Sequence, residues 1–172
     1  LIEQVETAAA SLDPALMTRL RCVPDDQLLD DYAALRKQLM RMESASEMVR
    51  WYYIMIMKEG RILFLVDSVQ ENVLGHEPPG VEYAEAPPEL YDVFLTGCAK
   101  VIGPYTDRYG VFVSSFGAIG GAETGSVRAV LGLDINADKW AFHMAFRRLP
   151  GLIATLLVSL VLLYYFVNRL QS

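Results

Sequence analysis

The chain has 172 residues, a formal net charge of −6 and a hydrophobic content of 53%. The acidic balance argues against nucleic acid as a partner, because phosphate binding needs clustered lysine and arginine. Two cysteines, Cys22 and Cys98, are too few for a disulfide framework, so we expect separate small apolar side chains, with a single bridge as the alternative. No cluster of cysteine and histidine is spaced for zinc, and we expect no metal and no cofactor. We interpret a chain that begins at Leu1 as part of a longer protein.

The N-terminal part is predicted to be helical. Residues 1–20 favour a helix that breaks or restarts at Asp13-Pro14, since proline suits the first turn of a helix. A second helix is predicted from Asp25 or Asp26, either of which can cap it, to about Glu43. Its apolar residues recur at spacings of three and four, which predicts one buried stripe: Leu28, Leu29, Tyr32, Leu35, Leu39 and Met42.

The middle of the chain predicts strands. Residues 51–57 and 61–67 are rich in aromatic and β-branched side chains, and Glu59-Gly60 between them favours a tight turn, so they form a hairpin. A loop over 69–88 and a short helix from Pro87 to Gly97 follow. Three more strands are predicted at 98–103, 111–119 and 126–135, the last two separated by a turn with Gly120, Gly121 and Gly125. Five antiparallel strands with helices against them make an α+β domain.

The C-terminal part predicts a membrane span. Asn136 caps a helix that Pro150 kinks or restarts, and residues 151–167 carry no charge. As a helix this run is about 26 Å long. Together with Leu149 and Pro150 it approaches the roughly 30 Å of a bilayer core. We therefore expect residues 149–167, from Leu149 to Val167, to cross a membrane, and the alternative is a buried core helix. Two arginines precede the run and one follows, so local charge does not establish its orientation.

Two acidic residues at strand ends are candidates for ligand binding. In the last strand Asp134 shares a face with Gly132, which leaves room for a ligand beside a carboxylate that accepts hydrogen bonds from an amine or hydroxyl. The alternative is a structural acceptor that caps the next helix or pairs with an arginine. Asp67 ends its strand on the face of Leu63 and Leu65, and it either faces a pocket or forms an Asx-turn.

Five further residues complete the candidate site. Ser114 shares a face with two phenylalanines, which suits a pocket wall and tight packing equally. Tyr53, Tyr83 and Tyr105 offer apolar bodies with polar tips, as small-molecule sites use, although each also suits packing. Asp107 lies with an arginine in a loop between strands, which is either a lid or a surface turn.

No residue pattern indicates an enzyme. Ser114 is not in a GxSxG motif, and neither histidine belongs to a recognisable catalytic motif. The glycine-rich run 117–121 precedes a strand and not a helix, so it lacks the geometry that holds a phosphate. We therefore predict no catalytic residue in this chain.

Four groups of residues, in this order, carry a resemblance to a known family. They are Phe64 to Ser68, Pro78-Pro79-Gly80 with Tyr83, Pro104 to Ser114, and Gly132 to Ile135 with Trp140. Together they resemble the extracytoplasmic PAS-like sensor domains, also called Cache or PDC domains, of bacterial sensor histidine kinases and diguanylate cyclases. The chain departs from the family pattern at Tyr109 and Phe112, where tryptophan is usual, and at Ala118, where proline is usual.

The resemblance implies an arrangement in the membrane. A PAS-like domain over 1–148 would lie outside the inner membrane of a bacterium, followed by a transmembrane helix over 149–168 and the start of a cytoplasmic linker at 169–172. It also implies a preceding membrane span and a cytoplasmic kinase or cyclase.

Three functional hypotheses remain open, and the third is a simple tail-anchored periplasmic protein. In the first, a small polar ligand binds between the sheet and residues 69–109, and the last strand passes the change to the membrane helix. In the second, the domain is a dimerisation and spacing module that responds to a partner protein or the membrane. Amphipathic helices at both ends favour a homodimer.

Overall fold

The computed structural model describes residues 1–120 and 127–171. The helices are α1 (Ile2–Ala10), α2 (Pro14–Met17), a 3-10 helix (Pro24–Leu28), α3 (Asp30–Ser44), α4 (Pro88–Thr96) and α5 (Ala137–Gln171). The strands are β1 (Val49–Lys58), β2 (Arg61–Asp67), β3 (Lys100–Asp107), β4 (Gly110–Ile119) and β5 (Ala129–Asn136). Two compact units result, Leu1–Ala137 and a second that begins at Asp138.

The five strands form one antiparallel sheet in the order β2-β1-β5-β4-β3. This confirms the predicted α+β class with a five-stranded sheet. Helices α1 and α3 cover one face, and α4 with the preceding loop covers the other. Because both faces are covered, the central strand β5 is buried from Ala129 to Ile135, without the alternation of a half-exposed strand.

The predicted beginning of the second helix, at Asp25 or Asp26, is wrong. A 3-10 helix occupies residues 24–28, and α3 begins at Asp30, because the carboxylate of Asp26 has another role. It accepts the main-chain N–H groups of Cys22 at 2.6 Å and Val23 at 3.2 Å, which stabilises the preceding turn. The apolar stripe holds at Tyr32, Leu35 and Leu39, which are buried. It fails at Leu28 and Leu29, which lie before α3 and are exposed.

The strand predictions differ from the structure mainly at their ends. The β1–β2 hairpin is confirmed with its turn at Glu59-Gly60, and α4 ends at Gly97 with a left-handed φ of 73°. Strand β3 continues to Asp107, beyond the predicted end at residue 103, because it pairs with β4 as far as Gly110. Gly121, Gly125 and the first residue of the predicted last strand, 126, lie outside the described residues.

The two cysteines are not bridged, so the alternative of a disulfide is wrong. Cys22 is buried and Cys98 is exposed. The thiol of Cys22 donates a hydrogen bond to the main-chain oxygen of Phe64 at 3.2 Å.

Helix α5 continues through Pro150 and does not restart there. Within Ala137–Leu163 an 18-residue stretch has a mean hydropathy of 1.8, and none of that stretch is buried. By length and composition it can cross a membrane. The apolar side chains of Leu152 and Leu156 are exposed, unlike those of a core helix in a soluble domain.

Candidate functional site

A small cavity lies between the sheet and the loop that precedes α4. It is lined by Trp51, Tyr53, Phe64, Asp67, Val69, Gly75, Tyr83, Asp107, Tyr109 and Asp134. The space open to the centre of a water molecule is about 20 Å³, which holds roughly one water. In this form the cavity admits a single small polar group and excludes larger molecules.

An irregularity in the β1–β2 pairing turns Asp67 toward this cavity. Tyr53 pairs with Asp67, but Met55 pairs with Phe64, so Leu65 is an extra residue in β2. One extra residue reverses the face of everything after it. The predicted face of Asp67, shared with Leu63 and Leu65, is therefore wrong, and Asp67 lies on the side of Tyr53 and Phe64.

Asp134 is the most deeply placed acid of the cavity. It is 6% exposed, and its Oδ1 accepts the hydroxyls of Tyr53 at 2.8 Å and Ser114 at 2.5 Å. Both of these bonds end on the same oxygen, and the side chain also lines the cavity. The carboxyl group is therefore held by neutral donors on Oδ1 and faces the cavity.

The ring of Tyr53 packs against Gly132 and leaves no room there for a ligand. A Cβ atom at this position would lie 2.6 Å from Cζ of Tyr53, so the ring occupies the space that a side chain would need. The expected free space beside Asp134 is therefore filled. The glycine instead allows the Tyr53 hydroxyl to reach the carboxyl group.

Burial raises the pKa of Asp134 to about 7. This value includes a smaller rise from the nearby charge of Asp107, and the hydrogen bonds from Ser114 and Tyr53 oppose the shift. Near neutral pH the group therefore exists in both protonation states, and a bound cation would favour the ionised one.

A chain of hydroxyl groups connects Asp134 to a second acid at the edge of the cavity. Tyr105 bonds to Ser114 at 3.0 Å and lies 3.4 Å from the hydroxyl of Tyr83, which donates to Asp107 at 3.0 Å. Burial raises the pKa of both tyrosines, so they remain protonated donors. The chain therefore links acids on β3 and β5 across β4.

Asp67 forms the predicted Asx-turn and also lines the cavity, so both alternatives for this residue hold. Its carboxylate accepts the main-chain N–H groups of Val69 at 3.0 Å and Glu77 at 2.7 Å. Nδ1 of His76 lies 3.0 Å from the same group. Burial raises the pKa of Asp67, and the bonds from Glu77 and His76 oppose that shift.

Asp107 likewise stabilises a turn and also lines the cavity. Its Oδ1 accepts the main-chain N–H groups of Tyr109 at 2.8 Å and Gly110 at 3.1 Å. The same side chain lines the cavity through its other oxygen, which Tyr83 contacts.

The structure brings all seven predicted site residues together. Five of them line the cavity, and Tyr105 and Ser114 are joined to it through hydrogen bonds. Their role in binding a ligand stays a prediction. The sequence-based prediction did not include Trp51. Strand alternation could have identified it, because it lies two positions before Tyr53 on β1 and so shares its face. The prediction also omitted Phe64, Val69, Gly75, His76 and Tyr109.

The cavity combines aromatic faces with acids. Five aromatic side chains line it, and the rings of Phe64 and Tyr83 lie 5.3 Å apart. The three acids are Asp67, Asp107 and Asp134, and no lysine or arginine lines the cavity in the described part of the chain. Aromatic faces and carboxylates both attract cations. No cluster of three or more acidic, histidine or cysteine side chains suited to a metal ion occurs among the described residues.

No protein-family model matches the sequence, and no curated protein matches it. Among solved structures, the chain is similar to the sensory domain of the Campylobacter jejuni chemoreceptor Tlp3 (CcmL), with a TM-score of 0.51 and 15% identity. The match covers 80% of this chain and 51% of that one, so the chain spans about half the length of that structure. At this identity the likeness shows a shared fold alone. The PAS-like (Cache or PDC) subtype stays a prediction.

Proposed function

We propose that the chain is the signal-input part of a bacterial membrane receptor and that its cavity binds the ammonium group of a small polar ligand. The observation that supports this most is the state of Asp134. Its carboxyl group is buried among aromatic rings, lines the cavity, and accepts the hydrogen bonds of two neutral hydroxyls, those of Tyr53 and Ser114. A buried carboxylate is stable only when it is paired, and an ammonium group would supply that partner.

The rest of the cavity favours a cation over an anion or a neutral molecule. Asp67 and Asp107 add negative charge, and the aromatic walls add cation–π attraction of about 0.5 to 2 kcal/mol. The cavity has room for roughly one water, which is also the size of an ammonium group. A larger ligand requires the surrounding loop to move.

The path from the cavity to the membrane is short along the chain. Asp134 lies on β5, which ends at Asn136, and α5 begins at the next residue. A ligand that binds one arrangement of the domain more tightly than another shifts their populations, and the shift passes directly into α5. In this proposal α5 crosses the bacterial inner membrane, the domain lies outside, and a homodimer passes the signal to a cytoplasmic kinase or cyclase.

Thermal unfolding of the chain in lipid nanodiscs tests the ligand. A panel pairs each primary amine, including amino acids, with the neutral alcohol and the carboxylate of the same size. We expect a rise in Tm with at least one amine and none with its alcohol, and the Asp134→Asn variant should lose this rise. Asp13→Asn, which changes an exposed acid, is the matched control. A panel without any stabilising amine, or equal stabilisation of the Asp134→Asn variant, would contradict the proposal.

Thiol labelling of intact cells tests the orientation. Cys98 is exposed and Cys22 is buried, so only the thiol of Cys98 should react with a maleimide while the domain is folded. A membrane-impermeant maleimide should label Cys98 without lysis, and Cys98→Ser should abolish the labelling. Labelling that requires lysis would place the domain on the cytoplasmic side and refute this part of the proposal.

A second candidate is the spacer module, which the small size of the cavity favours. Because the cavity has room for only about one water, the domain could act as a spacer without binding any ligand. In that case the amine panel gives no stabilisation, and Asp134→Asn leaves signalling unchanged.

A further inference from the structure

Residues 68–77, the cover loop, lie over the cavity. Val69 and Gly75 belong to its lining, and a Cβ atom at Gly75 would lie 2.9 Å from Cη2 of Trp51. Between these two points, residues 70–74 are exposed to solvent. The loop therefore touches the cavity at its two ends and leaves its middle in water.

The ends of the cover loop are held by one carboxylate. Asp67 accepts the N–H of Val69 at the start of the loop and the N–H of Glu77 at its end. His76 bonds to the same carboxylate through Nδ1 at 3.0 Å. Because all three bonds meet on one buried acid, this carboxylate links the two ends of the loop to each other and to β2.

Two further contacts tie the cover loop to its neighbours. Oε1 of Glu77 accepts the hydroxyl of Tyr109 at 2.7 Å and lies 3.5 Å from Arg108, both in the β3–β4 hairpin. On the other side, Arg36 of α3 donates to the main-chain oxygen of Val69 at 2.8 Å and pairs with Glu71 at 2.9 Å. The outer part of the loop is thus attached by polar bonds, which open at lower cost than apolar packing, while Val69 at its start is packed in the core.

We propose that the cover loop is a gate, latched to the sheet by the Asp67–His76 pair, which opens to admit the ligand. The inference rests on the proposed function, since a gate needs something to admit. It follows from the size of the closed cavity, which no ligand larger than water can enter without movement. Trp51 lies directly beneath Gly75, so an open gate exposes its indole ring to solvent.

Acrylamide quenching of Trp51 fluorescence tests the gate without any ligand. The chain has two tryptophans, so a Trp140→Phe background in nanodiscs leaves Trp51 as the reporter. Trp51 is 8% exposed, and we expect weak quenching in that background. His76→Ala should increase the quenching constant several-fold. His143→Ala, the same change on α5, should leave it unaltered.

Hydrogen exchange of the unaltered chain is the second measurement, and it does not depend on a variant that folds. The amides of Val69 and Glu77 should exchange by local opening, at rates that low urea concentrations do not change, while the amides of β5 should follow global unfolding. Unchanged quenching in His76→Ala would overturn the gate, and so would equal increases in both histidine variants. Exchange of the cover loop only on global unfolding would also overturn it. None of these readouts uses an amine, so a failed amine panel and a failed gate are separate results.

Discussion

Replacing Asp134 with asparagine should remove a pH dependence of stability that this residue imposes. Its pKa is about 7 in the folded chain, because it is buried, and 3.8 when the chain is exposed to water. At about 1.4 kcal/mol for each pKa unit, ionising it inside the fold costs about 4 kcal/mol. The folded state holds its proton more tightly than the unfolded state does. The stability linked to Asp134 is therefore present below about pH 4 and is lost as the pH rises to about 7.

Asparagine keeps the contacts and cannot ionise. Its Oδ1 can still accept the hydroxyls of Tyr53 and Ser114, which bond to one oxygen of Asp134. Urea unfolding in nanodiscs, followed by tryptophan fluorescence at pH 4 and pH 8, measures both proteins. We expect similar stability at pH 4 and a variant that is more stable at pH 8 by up to about 4 kcal/mol.

The difference between the two proteins is the quantity to follow, since other acids also titrate in this range. Asp13→Asn, at an exposed cap of α2, should behave as the wild type at both pH values. If the difference in unfolding free energy between wild type and Asp134→Asn did not change with pH, the reasoning would be refuted. Asp134 would then have the same pKa in the folded and the unfolded state.

Three other substitutions test the packing around the sheet, each by urea unfolding followed by far-UV circular dichroism. Gly132→Ala should cost about 1 to 3 kcal/mol, because its methyl group overlaps the ring of Tyr53, and an unchanged midpoint would show that the ring moves freely. Asp26→Ala should cost about 1 to 3 kcal/mol, since it leaves two main-chain N–H groups without their acceptor, and a neutral result would mean that water replaces the carboxylate. Gly97→Ala should cost about 1 kcal/mol because of the left-handed φ at the end of α4, and stabilisation instead would contradict that reason.

Local patterns in the sequence predicted the elements well where one strong signal dominated. The β1–β2 hairpin follows from two β-rich runs around Glu59-Gly60, and β2 has the predicted bounds. The C-terminal helix follows from an uncharged run that no strand or loop would contain. The start of α3 was harder, because Asp26 is a good helix cap in isolation. In the structure its carboxylate bonds backward to residues 22 and 23.

The candidate site was predicted through residue types more than through faces. Asp67, Ser114 and Asp134 meet as expected, but Asp67 does so because Leu65 is an extra residue in β2. An irregularity of this kind depends on pairing between strands, and nothing in the local pattern of β2 reveals it. The prediction that Gly132 leaves room for a ligand is wrong for a similar reason. Only the pairing with β1 shows that Tyr53 lies across this glycine.

The sheet order has a consequence for how the domain reaches its native state. Strand β5 is the last to be synthesised, yet it lies between β1 and β4. The β1–β2 and β3–β4 hairpins can form early from neighbouring residues, but they cannot join until β5 arrives. Such late, distant pairing slows folding and leaves strand edges open meanwhile. Since α5 follows β5 at once, closure of the sheet coincides with synthesis of the apolar helix, and the two hairpins stay unjoined until then.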